Sequence, residues 1–138
     1  WNELPNAGFV LEVSHDGFAR KGGSDLTNSR RIRYSGECSV EIEDSFSSSR
    51  SRTWQGRLHF APSVQLVSHE GGQIKLSNHG RTVEISLENV SNYSIKKSNY
   101  YPRFNTAEER LCLQYEVSAT TGMVGVKLNW GSSKSGTL

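Results

Sequence analysis

The sequence predicts an all-β fold, an antiparallel β-sandwich of about ten short strands. Three observations predict it. Apolar and polar residues alternate with period two in one short segment after another, as in Arg31-Ile32-Arg33-Tyr34. Gly, Ser and Asn punctuate these segments every 8–12 residues or so, the spacing of a sandwich rather than of βαβ units. Helical periodicity is almost absent. The 138 residues are expected to form a single domain, residues 1–138, with a Gly/Ser-rich flexible tail over 131–138. No internal repeat is visible. The chain opens at Trp1 without a Met, as a processed or trimmed chain would.

Each segment has its own signal. Phe9–His15 reads as the first strand. Arg30–Ser35 puts Ile32 and Tyr34 on one face and Arg31 and Arg33 on the other. Glu37–Phe46 follows Gly36. Ser47–Arg52 reads as a polar, mobile loop. Thr53–Phe60 turns Trp54, Leu58 and Phe60 inward and Gln55, Arg57 and His59 outward. Val64–Ser68 leads into Glu70-Gly71-Gly72-Gln73, a hairpin signal. Gln73–Ser77 then turns at Asn78-His79-Gly80. Val83, Ile85 and Leu87 form the inward row of the next strand. Tyr93–Lys97, Arg110–Val117 and Met123–Trp130 follow. Asn105–Arg110 is the one helical suspicion, a single turn. Trp54 and Trp130 are expected in the core.

Composition narrows the function classes. Apolar residues make up 34%, charged residues 22% and aromatics 9%, with a net charge of +2. Such a chain is polar, yet its charge is too low and its aromatics too many for a disordered segment. No apolar run is long enough for a membrane helix, and no signal-peptide pattern stands at the start. A dedicated nucleic-acid domain carries a more lopsided charge. The charge is uneven, however: eight of the sixteen Lys and Arg lie in the first 57 residues. Arg presents a planar fork suited to carboxylate and sulfate, so an acidic polymer is a candidate partner. The plain alternative is a solvated strand face.

Candidate residues follow from this chemistry. Arg57 and His59 are two outward basic side chains on one strand, suited to a polyanion, and Arg31 lies on another outward face. Tyr100-Tyr101-Pro102-Arg103 places aromatics and a cation at a strand-to-loop transition. Aromatic faces stack on sugar rings, and Tyr hydroxyls or Arg bond sugar hydroxyls and carboxylates. A Tyr plugging the sandwich end is the competing role there. His15-Asp16-Gly17 delivers an imidazole and a carboxylate to a Gly turn, but two ligands do not make a metal site. An Asp-Gly turn with an incidental His is the plainer reading. His59, His69 and His79 recur at ten-residue spacing, with nothing to fix them together. No metal and no cofactor is expected for this chain. No Gly-x-Ser-x-Gly, phosphate loop or Cys-x-x-Cys occurs. Cys38 shares a face with Val40 and Ile42, whereas Cys112 sits opposite Leu111, Leu113 and Tyr115, so two free thiols are expected and the redox compartment stays open. Asn89-Val90-Ser91 and Asn92-Tyr93-Ser94 are glycosylation sequons of a kind that Ser-rich chains contain by chance.

Three segments, in order, carry a family resemblance. They are Val13-Ser14-His15-Asp16-Gly17-Phe18-Ala19-Arg20 with Arg30-Arg31-Ile32-Arg33-Tyr34, then Ser39–Phe46, then Gly56-Arg57-Leu58-His59-Phe60-Ala61-Pro62-Ser63-Val64. Together they resemble the C-terminal β-sandwich of heparinase II/III-like proteins. There a His-Asp-Gly-Tyr stretch precedes an Arg-Arg strand, a strand ending in acidic residues, and an Arg-Phe-His-Leu-like strand ending at a Pro turn. Tyr100–Phe104 resembles the family's aromatic segment before its last strands. Phe18 stands where Tyr is common, and Asn28-Ser29 where a His is often found.

The resemblance implies the C-terminal part of a larger protein, one that pairs a helical toroid with this sandwich. Such proteins cleave uronic-acid polysaccharides by β-elimination. A base removes the proton beside the uronate carboxylate, and an acid, typically Tyr, protonates the leaving oxygen. Much of that machinery lies on the toroid, so the sandwich alone is not expected to be an active enzyme; any metal belongs to the parent. His15 is then the catalytic candidate, in the context of the parent only. Arg31, Arg57, His59, Tyr101 and Arg103 are the substrate-binding candidates. The expected partners are an acidic polysaccharide and the toroid, with no nucleic acid and no membrane span. The expected location is extracytoplasmic, periplasmic or secreted. A free-standing carbohydrate-binding module and a structural interaction domain are the alternatives.

Overall fold

The structure is a computed structural model that describes residues 2–3, 7–15 and 26–131, His15 by its backbone only. Asp16, Gly17 and the expected tail from 132 onward lie outside the described residues. Nine antiparallel strands are formed among them: β1 (Asn2–Glu3), β2 (Phe9–His15), β3 (Thr27–Tyr34), β4 (Ser39–His59), β5 (Gln65–Glu70), β6 (Gln73–Asn78), β7 (Arg81–Glu88), β8 (Asn92–Arg103) and β9 (Thr106–Asn129). The hydrogen-bonded order is β1-β2-β3-β4-β9-β7-β6-β5, with β8 also paired to β9.

Two strands do most of the organising. β4 has 21 residues and β9 has 24, and they pair along nearly their whole length. Each is two of the expected short strands fused into one. The expected loop Ser47–Arg52 is strand. Its residues 48–51 stand against the single Thr120, because the register shifts between Ser47 and Arg52. Such a bulge bends and twists the ribbon. It also changes which side chains of β9 face the core: Val124 and Val126 before it, Leu113 and Tyr115 beyond it.

That bend makes the layers. One half of β9 lies between β4 and β7, and the other between β4 and β8. The β5–β6–β7 arm folds back over the second half, so Ile74, Leu76 and Ile85 meet Leu113, Tyr115 and Phe46 in one core. Ile85 and Leu113 are fully buried. Burial of each such side chain stabilises by about 1.5–3 kcal/mol. The hydroxyl of Tyr93 on β8 reaches the same arm, at 3.2 Å from His69 Nδ1 and 3.4 Å from the Gly72 amide.

The two hairpin signals hold. Gly71 and Gly72 (φ 57° and 81°) join β5 to β6, and His79 and Gly80 (φ 50° and 77°) join β6 to β7. Positive φ at both central residues matches the strand twist, which is why Gly recurs there. The helical suspicion at 105–110 does not hold. Asn105 takes φ 59° in a tight turn and β9 begins at Thr106. Asn tolerates that conformation, and the turn closes a hairpin instead of starting a helix. Trp130 is no core residue either. It lies just beyond β9, 38% exposed, stacked on Tyr34 at 6.4 Å. Trp54 does pack inward, with its ring 4.4 Å from that of Phe46. Cys38 and Cys112 are both free thiols, Cys112 buried.

Candidate functional site

The outward face of β4, β9 and β8 is the first site. Cross-strand partners share a face, so the register sets the neighbours. His59 pairs with Cys112, which pairs with Lys96; Arg57 pairs with Gln114, which pairs with Ser94. Arg110 lies two residues before Cys112 on the same face, with its guanidinium carbon 5.1 Å above the ring of Tyr100. Arg57, His59 and Lys96 are exposed. Asn92, Ser94, Lys96, Gln114 and Glu116 line a shallow groove beside them. Glu116 is held by amides of Gln55 and Asn92 at 3.3 and 3.4 Å, which turns it into part of the groove wall. Arg57 and His59 are therefore brought together with two cations that sequence reasoning did not single out, Lys96 and Arg110. Alternation through Ile95 and Leu111 was the signal that placed them.

The other expected residues lie elsewhere. Arg31 sits beyond the register shift, between Glu12 and Glu43 in its cross-strand row, and its Nε is 3.4 Å from Glu12. That row carries more carboxylates than cations, so Arg31 is no part of the strip. Tyr101 and Arg103 lie in β8, not in a loop. β4 ends at His59, and β8–β9 runs on as a two-stranded ribbon to its turn at Phe104. Tyr101 is 65% exposed and Phe104 93%. Tyr101 takes the face opposite Tyr100, where the Asn99 amide donates to its hydroxyl at 3.4 Å. His15 ends β2, paired with Asn28; its side chain lies outside the described residues.

The second site is a pocket on the inward face that no motif announced. Val13, Arg30, Asp44 and Val124 stand side by side across β2, β3, β4 and β9. Arg30 donates from Nε and Nη2 to both carboxylate oxygens of Asp44, at 2.7 and 2.9 Å. The pair, with Phe46, Trp54 and Tyr115, lines a pocket of about 180 Å³. Tyr115 is 3% exposed, and its hydroxyl has no hydrogen-bond partner among the described residues. Burial first, then the Asp44 carboxylate, raises its pKa above the ordinary 10.0, so the phenol stays protonated at neutral pH. Arg30 is raised as well, chiefly by its hydrogen bond to Asp44. Arg30 could have been found: it shares the parity of Ile32 and Tyr34, and so their inward face.

Among the described residues, no three His, Cys, Asp or Glu side chains come together as metal ligands. No helix there is long and apolar enough to cross a membrane.

Comparisons with known proteins agree with this architecture. The profile of the family described as "Heparinase II/III-like, C-terminal" matches residues 3–130. No curated protein matches the chain. Among solved structures, a heparinase III (the BT4657 gene product with methylated lysines) superposes with a TM-score of 0.73 at 13% identity, over 98% of this chain and 21% of its own. The heparan sulfate lyase HepC from Pedobacter heparinus gives 0.72 at 12% identity, over 94% of this chain and 21% of its own. At these identities the likeness is one of fold. The chain spans about a fifth of the length of those structures.

Proposed function

The chain belongs to the heparinase II/III-like C-terminal family, and on that premise we propose that it is the accessory sandwich of a polysaccharide lyase, binding an acidic, uronic-acid-containing glycan. The whole protein then acts by β-elimination, with a helical toroid carrying most of the chemistry, outside the cytoplasm. One observation supports the binding role best: Arg57, His59, Lys96 and Arg110 share one face of three adjacent strands, beside Tyr100. Basic side chains gathered on one face suit a polymer with repeating carboxylates, and a neighbouring aromatic ring suits a sugar face. The solved relatives named above, a heparinase III and a heparan sulfate lyase, fit that substrate class.

The test is binding of the chain to a uronic-acid polymer by wild type, by Arg57→Ala/Lys96→Ala and by Arg31→Ala. The double variant should lose at least about tenfold in affinity, the order expected for two charge-assisted contacts. Arg31→Ala should bind as wild type does. Equal binding by all three would remove the strip from the function. A free-standing module that stacks neutral sugars has one specific support, the exposure of Tyr101 and Phe104 on the ribbon. It predicts binding that Tyr101→Ala abolishes and Lys96→Ala leaves intact.

A further inference from the structure

We infer that the inward pocket at Arg30, Asp44 and Tyr115 is a second binding site, one that takes a single uncharged sugar ring or similar small polyol. Three independent features carry this. First, Tyr115 is all but buried, lines the pocket and leaves its hydroxyl without a partner among the described residues. Buried hydroxyls are nearly always bonded, so this one leaves a hydrogen bond unmet beside the pocket. Second, the chemistry is polar but neutral. Asp44 cancels Arg30, and the pair uses two of the guanidinium's five N–H groups. What is left over is donors on Arg30, acceptor capacity on Asp44 and a protonated phenol that does both. That set matches hydroxyl groups. A carboxylate or sulfate would meet Asp44 with no net positive charge to offset it. Third, the walls suit a sugar's C–H faces: the stacked rings of Phe46 and Trp54 line the pocket together with Val124.

The size agrees. At about 30 Å³ per water, the pocket's 180 Å³ holds about six waters, the bulk of one small molecule rather than a chain. Gly56 also lines it and lets the Tyr115 ring lie close, because a Cβ there would run into that ring. Val13 and Arg30, both about half exposed, are among the pocket's lining residues. The pocket is on the face opposite Arg57 and His59, so this inference stands apart from the acidic-glycan reading, and either can fail without the other.

The experiment is an amide NMR titration of the full chain with glucose, with glucuronate as a parallel arm. Saturable shifts for glucose at Asp44, Gly56 and Val124, weaker or absent with glucuronate, are the expected result. Tyr115→Phe keeps the ring and removes the hydroxyl; it should cut glucose affinity by at least about tenfold, the loss of one buried hydrogen bond to a polar ligand. Asp44→Asn tests the same site without touching the core ring. The inference is overturned if glucose gives no saturable shift up to tens of millimolar, which would leave a site for ordered water only. It is equally overturned if glucuronate binds better, or if both variants bind as wild type does.

Discussion

Gly56→Ala asks whether the bent β4–β9 ribbon is packed as tightly as described. Gly56 pairs with Tyr115, and a Cβ at position 56 would fall on the phenol ring, against Cζ, Cε2 and the hydroxyl. Carbon atoms pack at about 3.5–4.0 Å, so the ring must retreat by more than about 1 Å. Tyr115 is 3% exposed, so the ring retreats only by moving into the pocket it lines and disturbing the packing around it. Overpacking of this kind costs about 1–3 kcal/mol, and this contact belongs in the upper half. Ala also narrows the unfolded ensemble, which offsets about 0.4–1 kcal/mol. The expected net loss is about 1–2 kcal/mol, read by urea denaturation. Gly122→Ala is the internal comparison. Its Cβ would lie 2.9 Å from Phe46 Cζ, so the ring need give only about 0.6 Å and the cost should be smaller. In a Tyr115→Leu background the Gly56→Ala cost should shrink, a coupling that a double-mutant cycle measures directly. A Gly56→Ala protein as stable as wild type, or less affected than Gly122→Ala, would refute the packing argument.

Further outcomes follow from the same core. Leu113→Ala should cost about 2–5 kcal/mol in the same assay, because Leu113 is fully buried where both layers meet. Phe104→Ser should change stability by less than about 0.5 kcal/mol, since that side chain is 93% exposed at the ribbon tip. Tyr115 adds a pH signature. Its folded pKa is raised above the unfolded value near 10.0, so its contribution is present below pH 10 and is lost as pH rises through the folded pKa. Stability measured upward from pH 9 should therefore fall less steeply in Tyr115→Phe than in wild type.

Much of the architecture was legible because turns and alternation are local signals. Gly71-Gly72 and His79-Gly80 announce their hairpins, and Ile74, Leu76 and Ile85 announce their face. The fusion of β4 was not legible. Ser47–Arg52 has no apolar alternation, and what holds it in a strand is β9, far away in sequence. The bulge there also reverses the inward parity of β9, which no segment reveals by itself. The outward strip was half legible: Arg57 and His59 show on one strand, while Lys96 and Arg110 join them only through register with β8 and β9. The inward pocket needed four strands aligned at once. Arg30 is one cation among eight in the first 57 residues until Asp44 stands opposite it. The same register that unites Arg57 with Lys96 separates both from Arg31 and Tyr101.

The most direct test of the account is the affinity of the chain for a uronic-acid polysaccharide, measured at low and at high salt beside a neutral polysaccharide. Exposed charge pairs are screened within about 10 Å at 0.1 M salt and within about 3 Å at 1 M. The account predicts binding to the acidic polymer that weakens steeply as salt rises. Salt-independent binding, or a preference for the neutral polymer, would contradict it.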